Sequence, residues 1–425
     1  MANRKIPPRI QTIDRIDFPE VVAHHLENGI PVYLIAQPDQ EVFRLEVVID
    51  AGRPYESAPL VSRITQQMLR EGTRYRSSSE LAEYLDYYGA SLSLPAQMDT
   101  ANLVVQGLRK HFEDIMTMVA ELLRAPSFPE DEWRALRERS KANLRIELDK
   151  NEVVAYRQIT EYLFGETHPY GYNSHLAAYD ELTIDQLRAH HDQYYRTGQM
   201  KLFLAGGLGD PELEVLNNCL GQGIPLGVCP EPSIPGAGIR RGHHHIPGSG
   251  QLQTAIRMGR PLFDRGHPDY HGLYILNTVL GGYFGSRLMD NIREEKGLTY
   301  NIYSSLDTNR HDGCWLIACE TSPEHVETCL AEIEQEMRIL REEIMDREEL
   351  EMVRNYLLGT FLSQVDGSLN SIEWLAGLIS DGLDPSFFSE AVQRVNEIQP
   401  EDIQRLAQSY LEPDSWISLT VGVKS

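Results

Sequence analysis

The chain is short of cations, short of cysteine and without any long apolar run. Against 63 Asp and Glu it sets only 39 Lys and Arg, a formal net charge of -24 at pH 7. That deficit argues against nucleic acid, because phosphate binding needs a surplus of Lys and Arg. A cationic or neutral peptide suits such a field better. No run of about 18 apolar residues occurs, so no membrane-spanning helix is expected. The start Met1-Ala-Asn-Arg-Lys-Ile-Pro-Pro8 lacks the apolar centre of a secretory leader. A cytoplasmic location is expected, or a periplasmic one if a leader has been removed. The cysteines, Cys219, Cys229, Cys314, Cys319 and Cys329, are odd in number and show no Cys-x-x-Cys spacing. They make no disulfide framework and read as buried or half-buried thiols. No Gly-x-Ser-x-Gly elbow is present, and no Lys-Ser/Thr follows Gly281-Gly282, which removes a phosphate loop.

What remains is a chain of 425 residues, too long for one ordinary core. Asn28-Gly29 between two apolar runs predicts a hairpin over residues 21 to 36, and a third strand is expected at 44 to 49. Helical periodicity covers 58 to 70 and 78 to 88, with Ser77 and Glu80 placed as a capping box. Strands at 91 to 94 and 103 to 108 follow, then helices at 111 to 124 and 130 to 164. A helix at 183 to 195 and a strand at 200 to 205 precede a stretch rich in Gly and Pro. This predicts domains at 1–210 and 246–425 joined by a linker at 211–245.

The second part repeats the first. Tyr88-Gly-Ala-Ser-Leu-Ser93 resembles Lys296-Gly-Leu-Thr-Tyr-Asn301, and Asp185, Leu187 and Gly206 have counterparts in Glu401, Ile403 and Gly422. The period is too long for a solenoid, so a duplicated domain is expected. The fold class read from this is α+β, two homologous domains, each a mainly antiparallel sheet packed with helices.

The most informative stretch is Leu280-Gly-Gly-Tyr-Phe-Gly-Ser-Arg-Leu-Met-Asp-Asn-Ile-Arg-Glu-Glu-Lys-Gly-Leu-Thr-Tyr-Asn-Ile-Tyr-Ser-Ser305. It reads as a Gly-Gly turn, an amphipathic helix with Leu288, Met289 and Ile292 on its apolar side, a Gly297 C-cap and a strand. In that strand Leu298, Tyr300 and Ile302 alternate with Thr299, Asn301 and Tyr303.

The run Ser286 to Tyr300 resembles the second-domain signature of the pitrilysin family of zinc peptidases, which includes mitochondrial processing peptidase. Phe164-Gly-Glu-Thr-His-Pro-Tyr-Gly171 is similar to another stretch of that family. The resemblance implies that Arg293 and Tyr300 hold the substrate backbone and stabilise a tetrahedral intermediate at the zinc site of a partner half. A guanidinium fork and a phenol suit a carbonyl that gains negative charge.

The same resemblance locates the metal motif. Active members carry His-x-x-Glu-His before Met-Leu-x-x-Gly-Thr, which here is Met68-Leu-Arg-Glu-Gly-Thr73. Arg63 and Gln67 occupy the two His positions, and Gln66 occupies that of the general base. A guanidinium does not ligate zinc, an amide is a poor ligand, and Gln66 accepts no proton from water. Glu138 and Glu147 lie near the third-ligand position, but acidic residues on a solvated helix are the ordinary case. His24-His-Leu-Glu27 precedes the hairpin and belongs on a strand, where positions four apart are roughly 13 Å apart. His243-His-His245 also reads as strand, and His168 in its His-Pro turn as structural.

These readings predict no metal and no cofactor in this chain, zinc being expected in the partner subunit. The expected role is the non-catalytic subunit of a heterodimeric zinc metallopeptidase, inactive alone, that supplies Arg293 and Tyr300 in trans. Its partners would be a zinc-bearing homologous subunit and an unfolded or extended peptide. Pairing with a second copy is an option for the isolated chain. The other reading is a purely structural or peptide-binding homologue without catalysis.

Overall fold

The structure is a computed structural model that describes residue 13 and residues 15–248 and 252–423. The start of the chain, read above for a leader, lies outside the described residues. The hairpin predicted at Asn28-Gly29 forms from β1 (Val22–His25) and β2 (Pro31–Ala36), with Gly29 at φ +86° in the turn. Together with β3 (Val42–Ile49), β4 (Ser91–Ser93), β5 (Ala101–Leu108) and β6 (Met200–Gly206) they make a sheet of order β1-β2-β6-β3-β5-β4. A second sheet, of order β7-β11-β8-β10-β9, comprises β7 (Gly242–Pro247), β8 (Thr254–Leu262), β9 (Thr299–Thr308), β10 (Gly313–Thr321) and β11 (Ile417–Gly422).

Apart from β1, the two sheets are the same object built twice. In each, the first strand pairs parallel with the last, β2 with β6 and β7 with β11, and every other pairing is antiparallel. The residues that repeat in sequence hold equivalent backbone positions. Gly89 and Gly297 end their helical segments in the left-handed region at φ +60° and +62°, which a Cβ would disfavour. Gly206 and Gly422 close β6 and β11 at φ +125° and +151°. A Cβ on Gly206 would come within 2.2 Å of the Val42 carbonyl.

Side-chain alternation on β3 sends Phe43, Leu45, Val47 and Ile49 into the first core, where they meet Ile64, Met68, Val119 and Leu123 from helices Val61–Met68 and Phe112–Arg124. Val48 points the other way. It packs on Ile372, Leu375 and Ala376 of helix Ser368–Ser380, which comes from the second half of the chain. The reverse contact also exists. Helix Asn151–Phe164 of the first half lays Ala155, Ile159 and Leu163 on Ala255, Leu316, Ile417 and Leu419 of the second sheet. Each half thus covers the open face of the other's sheet with one helix. Fully burying an Ile or Leu contributes about 1.5–3 kcal/mol, so the exchange couples the two halves strongly.

That exchange explains the first of two departures from the sequence reading. The helix predicted over 130 to 164 is two, Glu130–Leu148 and Asn151–Phe164. Trp133 and Leu136 of the first serve the first core, whereas the second turns to the other sheet, and Asn151 Nδ2 donates to the Gln253 carbonyl at 2.8 Å. The segment read as linker from 211 begins as helix Asp210–Leu220, whose Leu216 and Leu220 join the first core. Its other end enters the second sheet as β7, so the stretch without regular structure is shorter than 211–245.

Candidate functional site

The helix Val61–Met68 carries Arg63, Gln66 and Gln67. Its N-terminus has no side-chain cap, since Leu60 stands in the left-handed region at φ +75°. Glu56 substitutes, accepting from the Ser62 N–H at 3.0 Å and from the Tyr172 hydroxyl. Burial pushes the Glu56 carboxyl up to about 7, against the opposing effects of the Tyr172 hydroxyl and the Arg53 guanidinium.

Gln66 is fully buried and committed to the fold. The Tyr195 hydroxyl donates to its Oε1 at 2.7 Å, and its Nε2 donates to the Asn102 carbonyl. Thr65 beside it donates to the Leu187 carbonyl at 3.4 Å. An amide is the group that can accept on one side and donate on the other, so Gln66 is a structural bridge between the helix, β5 and Tyr195. Arg63 is exposed and Gln67 half-buried, and both line a cavity of about 600 Å³ together with Arg70, Arg139, Arg157 and Glu147. The Glu147 carboxylate is taken up by Lys150 at 2.8 Å. Glu138 is largely exposed and pairs with Arg137 at 3.3 Å.

Zinc does not fit this donor set. Of the residues around the cavity, Glu147 and Glu71 are carboxylates and no imidazole joins them. Among the described residues no group of three or more His, Cys, Asp or Glu is placed to hold a metal. Several histidines are engaged elsewhere. His168 is buried, accepts from the Tyr170 N–H at 3.1 Å and meets Asp312 at 3.3 Å across the two halves. Beside it the Tyr170 hydroxyl donates to Asp99 at 2.5 Å, and Asp99 accepts from the Arg310 N–H at 3.0 Å. The stretch Phe164–Gly171 is therefore a clasp between halves. His24 lies on β1 as expected. On β7, His243 and His245 reach Ser418 and Thr420 of β11 at 2.5 and 2.9 Å, and His244 lies on the other side against Tyr162.

The Arg293 and Tyr300 element lies in the second half. The predicted amphipathic segment is there, with Leu288, Met289 and Ile292 buried, but Met289–Glu295 winds as a π-helix. Its exit is closed by the Gly297 N–H to Arg293 carbonyl bond at 3.1 Å and the Leu298 N–H to Ile292 carbonyl bond at 3.0 Å. Anchors flank it. Arg287 makes a two-pronged pair with Glu349 at 2.8 Å on each prong, and Asn291 donates to Glu336 at 2.7 Å. Arg293 itself has its guanidinium 4.7 Å from the Phe284 ring centre and 3.5 Å from Glu294.

Tyr300 departs from the simple alternation. The alternation predicts one face shared with Ile302, yet Ile302 is buried and Tyr300 is 86% exposed. The ladder explains it: Thr299 pairs with Thr321 and Ile302 with Cys319, so Tyr300 and Asn301 together face the single residue Glu320. This bulge turns Tyr300 out of the core. Behind it, Trp315 Nε1 donates to Asn277 Oδ1 at 2.8 Å and the Ser304 hydroxyl to the same oxygen at 2.6 Å, which fixes β9. β9 is an edge strand, and the Tyr300 hydroxyl has no hydrogen-bond partner among the described residues.

Sequence reasoning missed Arg70, Arg139 and Arg157. Arg63 and Arg70, seven apart and therefore two turns along one face, were the available signal. The other two arrive from separate helices.

A model described as Insulinase (Peptidase family M16) matches residues 32–168, and one described as Peptidase M16 inactive domain matches residues 181–357. The chain belongs to peptidase family M16. It is 20% identical over 410 residues to a Bacillus subtilis protein named uncharacterized zinc protease YmxG, covering 92% of this chain and 96% of that one. It is 23% identical over 307 residues to a Helicobacter pylori protein named non-peptidase homolog YmxG, covering 71% and 70%. The crystal structure of a peptidase M16 inactive domain from Pseudomonas fluorescens superposes with a TM-score of 0.87 at 23% identity, over 96% of this chain and 98% of that one. A protease from Helicobacter pylori gives 0.87 at 16% identity, over 96% and 100%. At these identities the superpositions speak to fold. Among the described residues no helix is long and apolar enough to cross a membrane.

Proposed function

We propose that this M16 chain is the non-catalytic subunit of a two-chain zinc metallopeptidase, inactive alone. The observation that carries the reading is an asymmetry. Arg293 and Tyr300 stand on anchored elements with Tyr300 turned outward by its bulge, while Gln66 is locked into the core and no imidazole lines the cavity beside its helix. A zinc-bearing relative would supply the ion and the general base. This chain would supply hydrogen-bond donors: the Arg293 guanidinium and the Tyr300 hydroxyl would hold an extended peptide and stabilise the oxyanion formed at its carbonyl. Two such chains facing each other would admit unfolded peptides and exclude folded proteins by size.

The test is reconstitution. Purified alone, the chain is expected to leave an extended peptide intact. Mixed with the zinc-bearing M16 chain of its source, it is expected to increase cleavage over that chain alone. A mixture no faster than the zinc-bearing chain alone would contradict the proposal. The alternative, a structural or peptide-binding subunit, draws on the stacking of Arg293 over Phe284 and its pair with Glu294, which would hold the Arg for packing. Under that reading Arg293→Ala would lower stability and leave the reconstituted rate unchanged.

A further inference from the structure

The cavity beside the degenerate motif has an electrostatic character opposite to that of the chain. With 24 more carboxylates than cations overall, partners for arginine are plentiful, yet Arg63, Arg70, Arg139 and Arg157 converge on one concavity. Two carboxylates share it, and both are occupied. Glu147 is paired with Lys150 at 2.8 Å, and Glu71 accepts from Ser78 at 3.3 Å and lies 3.8 Å from Arg139. Arg63, Arg70 and Arg157 make no ion pair among the described residues. Arg157 is partly buried and spends one N–H on the Ser174 carbonyl at 2.5 Å. Burial first, and then the Arg53 guanidinium, disfavour its charge.

Guanidinium groups without carboxylate partners around a cavity are free to meet an anion, and their planar forks match a carboxylate or a phosphate in two-point contact. One further group narrows the choice. Gln67 Oε1 is buried in the same wall without a hydrogen-bond partner, so the site also lacks a donor. A carboxylate at the end of a peptide brings both features, the anion and the N–H of the same residue. The volume, about 600 Å³, is that of a small-ligand site.

We infer that the cavity lined by Arg63, Gln67, Arg70 and Arg157 binds the C-terminal carboxylate of a peptide. The inference rests on the reading of this chain as one that handles peptides, but not on its having a catalytic partner. It gives the first half a task of its own: holding a chain end while the second half presents its clamp.

The experiment uses the full chain alone. A short Ala/Leu peptide, labelled at its N-terminus with fluorescein, is titrated by fluorescence anisotropy as the free acid and as the C-terminal amide. The acid is expected to bind at least about tenfold more tightly, the effect of one charge-assisted contact. The double variant Arg63→Gln, Arg70→Gln alters two exposed side chains, so the fold is expected to persist by circular dichroism. It is expected to reduce binding of the acid by about tenfold or more and to leave the amide unchanged. Displacement of the acid by inorganic phosphate at constant ionic strength would support recognition of an anion at this place. Equal binding of acid and amide would overturn the inference, as would phosphate binding without peptide binding or no binding of the acid by the intact chain. A reconstituted peptidase could still be active in each of those cases, so the two proposals fail separately.

Discussion

The two halves of this chain share a topology and differ in what they do with equivalent ground. In the first, the helix Val61–Met68 is part of the core, with Gln66 satisfied on both sides by Tyr195 and Asn102. In the second, the edge strand β9 keeps Tyr300 exposed at a bulge and Arg293 half-exposed on an anchored helix. The difference shows how a duplicated fold divides structural from interactive duty. A position whose hydrogen bonds are all met inside the molecule serves stability. One held on anchored elements with its hydroxyl unpartnered among the described residues, as Tyr300 is, stays open to something outside.

The largest effects should come from where the halves interlock. Ile159→Ala and Ile372→Ala each leave a cavity under an exchanged helix, and each should lower unfolding free energy by about 2–5 kcal/mol in urea denaturation. Both substitutions should weaken the whole molecule in one transition. Independent melting of two units would break the picture of mutual coverage. Gln66→Glu comes next, with an expected loss of about 3 kcal/mol near neutral pH. It places a carboxylate oxygen against the Asn102 carbonyl in a fully buried site, and restores no activity.

A pH-dependent difference of roughly 2 kcal/mol is expected at Glu56. Its folded pKa, about 7, lies above the ordinary 4.5. Between those values the unfolded chain releases a proton that the folded chain retains. The stability contributed by protonated Glu56 is complete below 4.5 and is lost as pH rises through 7. Glu56→Gln removes that loss and keeps the acceptor for the Ser62 N–H, so its stability relative to the parent should rise between pH 5 and pH 8 in thermal melts. A flat difference would contradict the shifted carboxyl. The smallest stability effects belong to the second half's exposed pair. Arg293→Ala and Tyr300→Phe should change unfolding free energy by no more than about 0.5 kcal/mol, as exposed positions do.

Much of this was legible from the residues. The Asn28-Gly29 hairpin, the Ser77/Glu80 capping box and the paired glycines at 89 and 297 and at 206 and 422 depend on local chemistry, and local chemistry is what a sequence displays. What stayed hidden depended on packing across the chain. Leu216 and Leu220 were masked by the Gly and Pro that follow their helix. The break before Asn151 carries no Gly or Pro signal and exists because the next helix belongs to the other sheet. Tyr300 follows an alternating pattern up to a bulge that is set by its pairing with β10. The four arginines of the cavity come from three helices and a turn, a grouping visible only once they are brought together.

The most direct measurement of the central claim is peptide turnover by this chain mixed with its zinc-bearing relative, comparing the parent with Arg293→Ala and Tyr300→Phe at equal stability. The account predicts that each substitution lowers the reconstituted rate by about 100-fold, the cost of removing one oxyanion donor. A rate unchanged by both would contradict it, and would leave the exposed pair without the role assigned to it.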